Sequence, residues 1–204
     1  MTDHNGIHLI LASTSPRREE LLRSINICFS IVPPDVEEDQ LPQESPSDQV
    51  CRLALAKASE VAGRFPFKWV LGADTIVVFD GCVLGKPKDV DEAAAMLGTL
   101  AGRSHEVYTG YAIVKGAEPH LDRVRWVRSE VTIRPLDGSE VMAYVGSGEP
   151  MDKAGAYAIQ GIGSGIVRSV CGSYTNVVGL PICEVAGDLK ELGIFDFLEK
   201  GKRT

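Results

Sequence analysis

The sequence predicts a mixed α/β chain, mostly a central β-sheet flanked by helices. Three observations lead there. Strand-like and helix-like runs intermix without strict βαβ alternation, which favours a mixed sheet over a purely parallel one. Asp80-Gly81 lies between two apolar runs and signals a hairpin, so at least one antiparallel pair is expected. Ser15-Pro16 and Ser45-Pro46 each precede a helical face, with serine as N-cap and proline at the first helical position.

In chain order, Ile7–Ala12 is an apolar run that reads as a short buried strand. The helix opened by Pro16 carries Leu21, Leu22 and Ile25 on one face. Cys28–Val32 reads as a second strand, followed by an acidic loop with Asp35, Glu37, Glu38 and Asp39. In the helix from Pro46, Asp48 suits the positive end of the dipole, Val50, Leu53, Ala54 and Ala58 continue the face, and Gly63 stops it. Trp69–Phe79 is β-rich with Gly-Ala-Asp in its middle, and Cys82–Leu84 should return antiparallel. Asp89 to Glu92 has capping-box spacing before Ala93, Met96, Leu97 and Leu100. Glu106–Val114 and Arg123–Ile133 alternate as two long strands joined through residues 116–120. Glu140–Val145 reads as a short helix, residues 146–166 are dense in glycine, Val177–Leu180 is apolar, and Pro181 opens a last helix. The closing Gly-Lys-Arg-Thr is expected to fray.

A chain of 204 residues fits one large domain, or two small lobes sharing a cleft, with a core that needs no disulfide or structural metal. The net charge of −7 disfavours a nucleic-acid polymer as partner but leaves room for a local basic pocket that takes a small anion. The five cysteines are an odd number without a CxxC pair and read as buried or free thiols in a reducing cytoplasm, with core packing as their expected place. No apolar run approaches the roughly 18 residues of a membrane span. The start, MTDHNGIH, lacks the pattern of a signal peptide, so a cytoplasmic location is expected.

Five groups of residues can carry chemistry. Arg17 and Arg18 fall in the first turn of a helix, the wrong end of the dipole for a cation, which suggests an anion between them; Ser13 lies just before. The alternative is a solvated helix end paired with Glu19 and Glu20, and spacing alone does not separate the two. Asp74 in Gly72-Ala73-Asp74-Thr75 is a carboxylate in an apolar strand, suited to Mg²⁺, Mn²⁺ or a polarised water, or else to loop N–H groups. Lys86, between Gly85 and Pro87, can neutralise a phosphate or be an ordinary surface lysine. Glu37 or Glu38 can complete the oxygen shell of a hard cation, although most acidic runs are solvated loops. In Asp152–Gly161, Lys153 can meet phosphate and Gln160 can read a base edge, while the glycines alone are weak indicators. P-loop, GxGxxG, zinc-type histidine and GxSxG patterns are absent, and His105 reads as a strand-edge residue.

Taken together, the stretches Leu9–Arg18 (LILASTSPRR), Gly72–Thr75 (GADT), Gly85–Pro87 (GKP), Tyr108–Gly110 (YTG), Asp152–Gly161 (DKAGAYAIQG) and Val178–Pro181 (VGLP) resemble the Maf family of nucleotide pyrophosphatases in order and spacing. The likeness runs from about residue 7 to 190, with minor departures such as Ser164 where glycine is common. It implies one Maf/ITPase-like domain over residues 1–204, with two lobes around a deep cleft. It implies hydrolysis of a nucleoside triphosphate to monophosphate and pyrophosphate with a divalent cation, Mg²⁺ or Mn²⁺. By position, Asp74 becomes the base or metal-bound water activator and Glu38 its metal partner. Ser13, Arg17, Arg18, Lys57 and Lys86 become phosphate and site contacts, with Thr75, Asp152, Lys153 and Gln160 on the substrate side. Lys57 otherwise looks like a helix-face lysine. The 7-methyl-GTP branch has Trp, Gln and Glu where this chain has Arg17, Thr75 and Gln160, which implies dTTP and UTP as substrates here. The competing readings are a pyrophosphatase for 7-methyl-GTP or another noncanonical triphosphate, and a nucleotide-binding regulator of cell division or septation. A homodimer is compatible with the chain, and nothing in the sequence specifies one.

Overall fold

Period-two alternation along Trp69–Phe79 places this strand, with apolar residues on both faces, at the centre of the molecule. The computed structural model describes residues 9–195. In chain order these form β1 (Leu9–Ala12), α1 (Pro16–Ser24), β2 (Phe29–Ile31), α2 (Pro46–Arg64), β3 (Trp69–Phe79), β4 (Cys82–Leu84), α3 (Val90–Leu100), β5 (Ser104–Val114), β6 (Arg123–Ile133), α4 (Gly138–Gly146), β7 (Val167–Cys171), α5 (Tyr174–Val178) and α6 (Ile182–Glu191). Short 3₁₀ turns fill Glu149–Asp152, Ala154–Ala156 and Gly161–Gly165 in the glycine-dense segment. The strands form one mixed sheet in the order β2-β1-β3-β5-β6-β7, with β4 also on β3. β1 runs parallel to β2 and β3, and the other pairings are antiparallel.

One face of the sheet carries α2. Val50, Ala54, Ala58 and Val61 of the helix pack on Val70, Ile76, Val78 and Ala112. The helix backbone rests directly on the strands at two glycines. A Cβ on Gly72 would come within 2.5 Å of the Ala54 carbonyl oxygen, and one on Gly110 within 2.4 Å of the Val50 carbonyl. The other face holds Leu9, Leu11, Leu71, Tyr111 and Ile113 against Leu22 of α1 and Val185 and Leu189 of α6. Farther along it, Val77, Val107 and Val131 pack on Leu97 and Leu100 of α3 and Val141 and Val145 of α4.

Most sequence expectations lie within a residue or two of these bounds. α2 continues one residue past Gly63. Asp89 caps α3 through the Glu92 amide, while the Glu92 carboxylate takes the Lys88 amide rather than that of Asp89, so the reciprocal arm of the box is displaced by one residue. β7 has no counterpart in the sequence reading, because Val167–Cys171 is a half-exposed edge strand without a clean alternation. Two expectations are corrected. Cys28, Cys82, Cys171 and Cys183 are exposed and Cys51 is half-buried, because they sit at hairpin tips, strand ends and outward helix positions rather than in the core. His105 is buried, 3% exposed, with its Nε2 2.7 Å from the Tyr157 hydroxyl. Burial lowers its pKa to about 4. The expected fraying of the closing Gly-Lys-Arg-Thr and the first two residues of the Ile7–Ala12 run fall outside the described residues.

Candidate active site

The site begins with an interruption in the sheet. On one edge, β3 pairs with β1 up to Gly72 and with β4 from Val77 onward, so Ala73–Ile76 have no strand partner there. β1 is parallel and β4 antiparallel to β3, so both end toward this gap. From one side the chain turns into Ser13–Arg18, and from the other into Gly85-Lys86. Crevices at the carboxyl ends of strands are where open α/β sheets hold ligands. A cleft of about 330 Å³ opens here, within the size range of small-ligand sites. Ser13, Arg17, Arg18, Glu38, Lys57, Asp74, Thr75, Lys86, Asp152, Lys153 and Gln160 all line it; of the two acidic-loop alternatives, Glu38 reaches the cavity and Glu37 does not.

At the floor, Lys57 of α2 is buried and its Nζ lies 2.7 Å from Asp74 Oδ1 and 2.7 Å from Glu38 Oε1. Alternation puts Asp74 on the α2 face of β3, two residues beyond the glycine that lets α2 approach, so helix seating sets this contact. Glu38 arrives from the acidic loop with its side chain 56% exposed. Burial works to raise the Glu38 pKa, but the hydrogen bond and charge of Lys57, with Lys86 and Arg18 behind it, hold it below the usual carboxylate value. Two carboxylates that converge at one point offer a hard cation suitable oxygens. Among the described residues no group of three or more His, Cys, Asp or Glu side chains forms a cluster fit for a metal. The remaining oxygens would then come from water and phosphate, the usual arrangement for Mg²⁺.

Thr75 points to the opposite face and meets Arg18. The Arg18 guanidinium donates through Nε to the Gly179 carbonyl at 2.8 Å, through Nη2 to Thr75 Oγ1 at 3.1 Å, and through Nη1 to Ser13 Oγ at 3.4 Å. Thr109, paired with Thr75 across the strands, lies 2.9 Å from it and donates to the Asn176 carbonyl at 2.9 Å. A carbonyl only accepts, so the single Thr109 proton is committed to Asn176, and the Thr75 proton goes to Thr109 at 2.9 Å in preference to the Gly179 carbonyl at 3.4 Å. The donor direction therefore runs Arg18, Thr75, Thr109, Asn176, which keeps a Thr75 lone pair on the arginine. Desolvation lowers the Arg18 pKa, with Asp74 and Glu38 opposing it and Arg17 adding to it, and the group stays a cation.

Ion pairs also line the cleft. Arg17 Nη1 is 3.4 Å from Asp152 Oδ2, and Lys153 Nζ is 2.6 Å from Asp152 Oδ1 and 2.7 Å from the Glu149 carbonyl. Asp152 thus sits as counter-ion to two cations. Burial pushes its pKa up, but Lys153 and Arg17 outweigh that and leave it below the ordinary value. Lys86 and Gln160 have no hydrogen-bond or ion-pair partner among the described residues. Ser15 makes no side-chain cap, so the amides at the start of α1 remain open toward the cleft. Two contributors had no role assigned in the sequence: Thr109, inside the quoted Tyr108–Gly110 stretch, and Gly179, whose φ of +129° lets its carbonyl meet Arg18. A threonine facing a threonine across antiparallel strands is the signal that marks Thr109.

A family model described as "Maf-like protein" matches residues 8–192. A protein of Syntrophotalea carbinolica named dTTP/UTP pyrophosphatase is 48% identical over 199 residues, covering 94% of this chain and 87% of that one. Proteins of the same name from Symbiobacterium thermophilum and Geobacter metallireducens are 51% and 50% identical over 185 residues each. Each alignment covers 91% of this chain, and 94% and 96% of the two relatives respectively.

Proposed function

The chain belongs to the Maf-like family, and from that premise we propose that it hydrolyses dTTP and UTP to the monophosphate and pyrophosphate. One observation carries the reading: two carboxylates, Asp74 and Glu38, and four cations, Arg17, Arg18, Lys57 and Lys86, line one cleft at the break in the sheet. A triphosphate needs cations along its length and a polarised water at one phosphorus.

Asp74 and Glu38 are the residues that would hold a divalent cation, Mg²⁺ or Mn²⁺. When bound, it would neutralise phosphoryl oxygens and make water more acidic. Lys57 fixes both carboxylates and helps to keep Glu38 ionised. Asp74 Oδ1 is engaged by Lys57, which leaves Oδ2 to orient the attacking water and accept its proton. The water oxygen bonds to the α-phosphorus, the bridge from Pα to the β-phosphate oxygen breaks, and pyrophosphate departs with the bonding pair. Arg18, held from three sides, and the unpaired Lys86 offset the charge that builds on phosphoryl oxygens. Arg17 exchanges Asp152 for phosphate. Gln160 presents one donor and one acceptor to the base, the pattern of a uracil or thymine edge.

The test is a panel of dTTP, UTP, CTP, GTP, ITP and 7-methyl-GTP with Mg²⁺ or Mn²⁺, scoring pyrophosphate and monophosphate. dTTP and UTP should lead in kcat/KM, and EDTA should stop release. Orthophosphate with a diphosphate product would refute the bond assignment, and 7-methyl-GTP ahead of both pyrimidines would refute the substrate.

A further inference from the structure

Gln160 lies in the middle of a loop whose backbone is gathered by one carboxylate outside the reacting groups. Ile162 N donates to Glu149 Oε2 at 3.0 Å and Gly163 N to Glu149 Oε1 at 2.9 Å. On the other side of Gln160, Ala158 N donates to the Tyr144 hydroxyl at 3.0 Å, and that hydroxyl donates to Glu149 Oε1 at 2.8 Å. The tyrosine has a single proton and spends it on Glu149, so its oxygen faces Ala158 as acceptor. Three amides that bracket Gln160 thus end on one carboxylate, two directly and one through the phenol.

The loop is wrapped too closely around this group to admit side chains. A Cβ on Gly161, at a φ of +66°, would fall 2.4 Å from Glu149 Oε2. One on Gly163 would fall 2.2 Å from the Ala158 carbonyl oxygen and 2.6 Å from the Tyr144 hydroxyl. Burial raises the Tyr144 pKa, and Glu149 adds to the rise. Burial acts to raise that of Glu149 too, but the bonds from Tyr144, Gly163 and Ile162 overcome it, so Glu149 stays an anion that only accepts. Meanwhile the Gln160 side chain lines the cleft without a hydrogen-bond partner among the described residues.

We propose that Glu149 is a positioning residue for base selectivity: with Tyr144 it fixes residues 158–163 so that the Gln160 amide meets the base in one orientation. This rests on the reading of Gln160 as the base contact. Uracil and cytosine share sugar and phosphates in UTP and CTP, and differ in a donor–acceptor pattern that a rigid amide distinguishes and a loose one does not.

The experiment measures the ratio of kcat/KM for UTP over CTP in wild type, Glu149→Gln, Gln160→Ala and the double variant, with circular dichroism to check folding. Glu149→Gln turns an amide N–H₂ toward a loop amide. The ratio should fall by roughly 10-fold, the scale of one mis-set hydrogen bond. Gln160→Ala should also lower it, and adding Glu149→Gln to Gln160→Ala should lower it no further. Tyr144→Phe cuts only the phenol link and serves if Glu149→Gln does not fold; it should lower the same ratio. If Gln160→Ala lowers the ratio and neither Glu149→Gln nor Tyr144→Phe does, the proposal is overturned while the base contact stands. If both nucleotides lose equally in Glu149→Gln, its role is merely structural and the proposal fails. An unchanged ratio in Gln160→Ala overturns the base contact itself and the proposal with it.

Discussion

Replacing Gly72 by alanine should damage catalysis through the seating of α2, although Gly72 touches no substrate. The added Cβ would stand 2.5 Å from the Ala54 carbonyl oxygen, 2.8 Å from Ala58 N and 3.0 Å from Ala58 Cβ. The two nearest are helix backbone atoms, which cannot rotate away. Ordinary contact begins near 3.4 Å, so the helix must lift by about 0.9 Å, an overpacking that costs about 1–3 kcal/mol. Lys57 directly precedes Ala58 and moves with it. The same lift would stretch its 2.7 Å bond to Asp74 to about 3.6 Å, beyond hydrogen-bonding distance. A misplacement of that size near the chemistry costs on the order of 10²-fold in turnover. Urea unfolding and steady-state pyrophosphate release, measured on the same preparation, read the two effects. Gly63→Ala is the control: it lies in the same helix with nothing within 4 Å of the new methyl, and should stabilise by about 0.5–1 kcal/mol with turnover unchanged. A Gly72→Ala protein with lowered stability but wild-type turnover would refute the link between helix seating and the Lys57–Asp74 contact.

Three further perturbations probe other parts of the molecule. Asp74→Asn should retain nucleotide binding, measured by calorimetry, and lose roughly 10²–10⁴-fold in turnover; unchanged turnover would remove Asp74 from the reacting centre. Thr109→Val breaks the donor chain and removes one of the two donors on the buried Asn176 carbonyl, which keeps the Gly179 amide at 3.0 Å, costing about 0.5–1.5 kcal/mol and weakening the hold on Arg18. Thr109→Ser should recover both stability and kcat/KM, and a serine variant as poor as valine would assign the effect to the lost methyl instead. His105 has a folded pKa near 4 against 6.5 when unfolded, so the unfolded chain binds more protons between these values. Its contribution is therefore intact at neutral pH and is lost as pH falls from about 6.5 to 4, by at most about 3 kcal/mol. Urea midpoints across that window should fall more steeply for wild type than for His105→Gln, and parallel slopes would contradict it.

How much of this was legible in the sequence differs from residue to residue. Local signals are short-range and held well: the Ser45 and Asp89 caps, the Asp80-Gly81 turn and the Pro181 helix start all depend on neighbours within four residues. Strand order is a long-range property, and no local pattern tells that β1 and β4 share one edge of β3 with a gap between them. The convergence of Arg18, Lys86 and Asp74 follows from that gap, which is why spacing alone left each of them ambiguous. Lys57 is a different case. It lies on the Val50, Leu53, Ala54, Ala58, Val61 face, so its helical phase already placed a charge on the buried side. Such a lysine needs a carboxylate partner, and that inference was open to the sequence reading. Glu149 gave no comparable sign, because its partners are backbone amides whose identity a sequence does not encode.

The interruption along β3 also bears on how this molecule can change over evolutionary time. Residues at the rim, such as Arg17 at the start of α1 and Lys86 and Gln160 in loops, lie where the ladder has already ended, so substituting them disturbs no strand pairing. Asp74 and Lys57 have no such latitude, since one lies within the central strand and the other on the helix pressed against it. Selection can therefore retune what enters the cleft by altering its rim, while the reacting floor stays tied to the requirements of folding.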